Sequence, residues 1–111
     1  MKTSEHLKSA KKLIENEQNW IKNTYALDAE DNEVDYADKK ACKFCSFGAL
    51  QRIGLNFFEM EAAHDVLLKA VRSKDPTILK VSVYNDNHSH EEVMNMWDVA
   101  INMAEEYENN L

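Results

Sequence analysis

A chain of 111 residues has room for one hydrophobic core and not for two, and 44% apolar with 30% charged residues is the composition of a folded globular domain. Two glycines and one proline are too few for the many tight turns of a sandwich or barrel, so helices are favoured. A net charge of −7 repels phosphates, which argues against direct nucleic-acid binding and against attraction to an anionic membrane.

The first element is a helix from about Ser4 to Glu17, with Leu7, Ala10, Leu13 and Ile14 at helical spacing and Thr3 or Ser4 as its cap. In the following segment Trp20, Tyr25, Leu27 and Val34 lack a 3.6 period, and the run Asp-Ala-Glu-Asp-Asn reads as a turn, which predicts an extended segment or small hairpin over 25–34. A second helix is expected from Asp38 to Ile53, with Ala41, Phe44, Cys45, Gly48, Ala49 and Arg52 along one side and the small Gly48-Ala49 pair open to close approach by another element. Gly54 suits the left-handed residue that ends a helix.

A third helix carries Phe57, Met60, His64, Leu67, Leu68 and Val71 and stops before Asp75-Pro76. The Val- and Ile-rich piece TILKVSVY, residues 77–84, reads as a short strand or extended connector whose available partner is the hairpin-like region. The last helix has the clearest signal. Ser89 and Glu92 form an S-x-x-E capping box, and Val93, Met96, Trp97, Ala100, Ile101, Ala104 and Tyr107 make a continuous apolar stripe. The expected fold is therefore mainly α: one domain over residues 1–111, a compact bundle of about four helices with a small hairpin between the first two and a strand-like piece before the fourth.

Trp20, Ala26 and Asp28, Val34, Ala41, then Cys45 with Gly48-Ala49-Leu50, then Asn85-Asp86, Glu92-Val93 and Ala100-Ile101 together form a recurring pattern. Over residues 20–104 it resembles a family of small bacterial and phage proteins known as a domain of unknown function, with the motifs C-x-x-G-A-L and N-D followed by E-V. This chain departs from the pattern at Asn32, where glycine is common, and at Phe44 and Tyr84, where tryptophan is frequent; Cys42, His88 and His90 lie outside it. The resemblance implies a compact, mostly helical domain and no particular activity.

Three arrangements of residues could carry chemistry. Cys42, Cys45, His88 and His90 could form a Cys2His2 zinc set, although a C-x-x-C inside a helix and an H-x-H lack the turn and spacing of structural zinc sites. Cys45 could act as a thiol nucleophile with His88 or His90 as base and Asn85 or Asp86 orienting the imidazole, provided that the thiolate is stabilised. Against both stands a structural reading, in which Cys45 is a small buried apolar residue, His64 a core or boundary histidine, and Asn85-Asp86 the cap of a corner leading into the last helix. The structural reading is preferred, so neither a cofactor nor a metal is expected.

The acidic residues are unevenly placed: residues 86–111 carry seven acids and no Lys or Arg, and residues 13–38 eight acids and one Lys. Such faces suit solubility, a protein partner with a basic surface, or a charge mimic. The expected function is a non-enzymatic interaction module acting as an adaptor, an inhibitor or such a mimic. An apolar edge near Met94 and Met103 on the last helix could support a homodimer. No apolar run approaches the ~20 residues of a membrane span. The start MKTSEHLKSAKK lacks the apolar stretch of a secretion signal, so a cytoplasmic location with reduced thiols is expected.

Overall fold

The computed structural model describes residues 2–111. Among them the chain forms α1 (Thr3–Ile14), a 3-10 turn (Glu17–Asn19), β1 (Ala26–Leu27), β2 (Lys43–Phe44), α2 (Ser46–Arg52), α3 (Phe57–Lys74), α4 (Val81–Asn87) and α5 (His90–Asn109). The fold is thus mainly helical, with five α-helices where about four were expected, and a small antiparallel sheet pairs Ala26 with Phe44 and Leu27 with Lys43.

The long helix α5 is the centre of the molecule, packed on both α1 and α3. Its start is fixed by the Ser89 hydroxyl, which accepts from the Glu92 N–H at 3.2 Å, while the Ser89 N–H donates to the Glu92 carboxylate at 3.0 Å. From there Val93, Met96, Trp97, Ala100, Ile101 and Ala104 enter the core with Leu7, Ile14, Leu50, Leu67 and Val71. Each large side chain so buried stabilises the fold by about 1.5 to 3 kcal/mol. Tyr107, at the end of the predicted stripe, is 70% exposed, and so is Phe57 at 74%, at the first turn of α3.

Charged pairs hold α1 antiparallel to α5. The Lys8 ammonium lies 2.9 Å from the Glu105 carboxylate and that of Lys11 2.8 Å from Asp98. Ser4 caps nothing, contrary to expectation, because its backbone N–H and its hydroxyl both donate to the Glu108 carboxylate, at 3.0 and 2.6 Å. Lys2 takes the N-cap position instead.

Two elements differ from the sequence reading. The helix expected from Asp38 begins only at Ser46, because residues 42–45 are claimed by backbone pairing: Cys42 N–H donates to the Leu27 carbonyl at 3.0 Å, and Cys45 N–H to that of Tyr25 at 3.3 Å. Residues 77–84 form no strand and pair with nothing in the sheet; an Asp75 side chain accepting from Thr77 turns the chain, and α4 follows. Its buried residues Val81, Tyr84 and Asn85 stand at the helical spacing i, i+3, i+4. Gly54 ends α2 with φ +74, and α3 stops at Lys74, ahead of Pro76, as the sequence predicts.

Gly48 sits where α2 meets the residue leading into β1. A Cβ there would lie 2.0 Å from the Tyr25 carbonyl oxygen, so only glycine lets the two backbones touch. That contact sets the depth at which the little sheet rests on α2.

Candidate functional site

At the junction of β2, α2 and α4 lies a buried polar centre built on Asn85, whose side chain is wholly inaccessible to solvent. Its Oδ1 accepts from the Trp20 indole N–H at 2.7 Å, from the Ser46 N–H at 3.0 Å and from the Ser46 hydroxyl at 2.8 Å. Its amide nitrogen donates to the Ile21 carbonyl at 2.9 Å and to Asp86 Oδ1 at 3.2 Å. Ser46 Oγ in turn accepts from the Trp97 indole N–H at 3.1 Å. Every polar atom of the amide is therefore satisfied, which is the condition for burying it.

Asn85 and Asp86 do not cap the corner before α5, as their sequence position suggested. Both lie in α4, and Ser89 does the capping. Asn85 instead cross-links elements far apart in the chain, while Asp86 Oδ1 also accepts from the Asn23 N–H at 2.9 Å. Asn23 holds a left-handed backbone, φ 70, to make that bond, a conformation that asparagine tolerates better than most residues.

Cys45 stands beside this centre, and its position corrects the reading that put it two turns inside a helix. It is the N-cap of α2, its sulfur accepting from the Gly48 N–H at 3.3 Å, and it is 2% exposed. Burial pushes its thiol pKa up, and the Gly48 and Phe47 N–H groups only partly oppose this. A thiol so placed stays protonated at neutral pH, the reverse of what a nucleophile needs. A cavity of about 330 Å3 adjoins it, lined by Asn23, Thr24, Tyr25, Ser82 and Asp86 and by no histidine.

The histidines are engaged elsewhere. His88 stacks on Tyr84 with ring centroids 3.8 Å apart, its Nδ1 2.8 Å from the Tyr84 carbonyl, and His90 Nε2 lies 2.8 Å from the Ile14 carbonyl. Carbonyls only accept, so His88 Nδ1 and His90 Nε2 are the donors in these two bonds. Cys42, just ahead of β2, is exposed, whereas Cys45 is buried. Among the described residues no three His, Cys, Asp or Glu side chains gather as a metal site, so Cys42, Cys45, His88 and His90 do not form the tetrahedral set considered from sequence. His64 is half-buried, edge-on to Phe47 at 6.0 Å, a boundary residue.

The outer surface offers a different kind of feature. Phe57 and Phe58, 74% and 79% exposed, meet edge to face with centroids 5.6 Å apart at the start of α3. Glu59 follows them directly, and Glu61 stands two residues further on. The sequence analysis placed Phe57 on the apolar spacing of the third helix and did not single out Phe58; both stand in the first turn of α3 and are exposed. Among the described residues no helix is long and apolar enough to cross a membrane.

No curated protein and no solved structure matches the chain. A family model does, over residues 1–103, which includes the Cys45–Leu50 segment and every partner of Asn85, and the chain belongs to that family, the family of unknown function DUF6197.

Proposed function

We propose that this protein is a non-enzymatic interaction module that takes a protein partner with a basic surface. The observation that carries the reading is the exposed Phe57–Phe58 pair beside Glu59 and Glu61. Two large aromatic rings left in water cost free energy unless something covers them, and aromatic anchors ringed by charge are the usual centre of a binding face. The net charge of −7 favours a cationic partner and speeds its approach. The engagement of Asn85, His88 and His90 in structural hydrogen bonds, and the protonated state of Cys45, support binding over catalysis. Adaptor, inhibitor and charge mimic all fit this surface.

The test is a pull-down from a lysate at low and high salt with the wild-type protein and with Phe57→Ser/Phe58→Ser. Both residues are exposed, so the variant folds and melts like the wild type. A partner held at low salt, released at high salt and lost by the variant supports the proposal; identical capture by both proteins removes it.

A further inference from the structure

The cavity of about 330 Å3 between the turn at residues 23–25, Cys45 and α4 has one charged lining residue, Asp86. No Lys, Arg or His among the described residues stands within ion-pair distance of that carboxylate. The neutral groups that hold it occupy a single oxygen. Oδ1 accepts from the Asn23 N–H at 2.9 Å and from the Asn85 amide at 3.2 Å, which fills its two lone pairs, while Oδ2 has no donor among the described residues. Ser82 lies four residues before Asp86, on the same face of α4. Its hydroxyl and that of Thr24, the two aliphatic hydroxyls of the lining, make no hydrogen bond among the described residues either. Burial is the main cause that raises the Cys45 thiol pKa, and the Asp86 charge adds to it, so the field of this carboxylate extends over the cavity that both residues line.

We propose that this cavity binds a primary ammonium group. A carboxylate with no cation beside it selects a positive ligand, and the filled Oδ1 decides which one. A guanidinium binds a carboxylate best as a fork, one N–H on each oxygen, and here the second oxygen is taken. A divalent metal needs several ligands, and among the described residues no three His, Cys, Asp or Glu side chains gather. An ammonium is a compact charge with three N–H donors. Asp86 Oδ2 with the Ser82 and Thr24 hydroxyls makes a set of three acceptors for it. The volume stands at the lower end of the range of small-ligand sites, about 300 to 1,000 Å3, which suits a short alkylamine or the end of a lysine side chain.

Titration of the isotope-labelled full chain with butylamine near neutral pH, followed by its amide chemical shifts, tests this. Saturable shifts are expected at Asn23, Thr24, Tyr25, Ser82 and Asp86. Butylguanidine, denied its fork, and tetramethylammonium, which has no N–H, bind at least about 10-fold more weakly. Asp86→Asn keeps an Oδ1 for the Asn23 N–H, so it folds and melts like the wild type, and it weakens butylamine binding by about 10-fold or more. Ser82→Ala leaves the carboxylate in place and weakens binding by about 2- to 10-fold. Nα-acetyllysine methylamide separates the two sources of the group: tighter binding than butylamine assigns the site to a lysine of a protein partner, weaker binding to a free amine. Shifts that grow linearly without saturating overturn the proposal, as do equal binding of butylguanidine and an Asp86→Asn variant that binds like the wild type. The Phe57→Ser/Phe58→Ser protein takes butylamine as the wild type does, so the fate of the aromatic face leaves this result untouched.

Discussion

At the scale of single residues, the molecule turns on two positions with no substitute. Alanine is a better helix former than glycine by about 1 kcal/mol, so propensity alone would make Gly48→Ala stabilising. The new methyl would meet the Tyr25 carbonyl at 2.0 Å, backbone against backbone, with no side chain to swing away. Overpacking of this kind costs about 1 to 3 kcal/mol or more, so the net change is a loss, read as a lower urea midpoint with an unchanged slope. Asn85→Ala strands the Trp20 indole N–H, the Ser46 N–H and the Ile21 carbonyl. At about 1 to 3 kcal/mol for each buried group left unpaired, it destabilises by at least about 3 kcal/mol in the same measurement, enough to unfold a marginal domain. The two thiols separate just as sharply. Dithiodipyridine is expected to react at once with one thiol of the native protein, the exposed Cys42, and with the buried Cys45 only when denaturant is added; a Cys42→Ser variant should lose the fast phase.

Among the elements, α5 and α3 both start on their own local code. Ser89→Ala removes the acceptor for the Glu92 N–H and destabilises by about 1 kcal/mol, measurable by chemical denaturation, and Asn56→Ala at the head of α3, capped in the same way, costs a similar amount. These two helices were legible in the sequence from local signals, the Ser89–Glu92 box and apolar stripe for α5 and the apolar spacing and Pro76 stop for α3. Residues 38–45 were not, because Ala41, Phe44, Cys45 and Gly48 happen to fall at helical spacing while the deciding bonds go to Tyr25 and Leu27. Helix α4 was hidden by its Val81 and Val83, strand formers on a helix of only seven residues that tertiary packing holds in place. The candidate residues were visible as types, but their roles depend on partners tens of residues away, which no spacing rule encodes.

For the whole molecule, the acidic character sets the response to pH. Asn32 N–H groups at Asp28, the Thr77 hydroxyl at Asp75, the Ser89 N–H at Glu92 and the Ser4 hydroxyl at Glu108 each hold a carboxyl below its ordinary value. The unfolded chain therefore binds protons before the folded one does. The stability these contacts contribute is present in full above the ordinary carboxylate range, at about pH 5, and is lost as pH falls through the lower folded values. A melting temperature that is flat from neutral pH to about 5 and drops steadily below about 4 is expected by calorimetry; one that rises on acidification contradicts the assignment.

Both tryptophans of the chain, Trp20 and Trp97, end their indole N–H bonds on the Asn85–Ser46 pair, across sequence separations of 65 and 51 residues. Such long closures form late, after local helices have appeared. Intrinsic fluorescence is then a private reporter of that one knot, and in stopped-flow refolding its signal should lag behind far-ultraviolet circular dichroism.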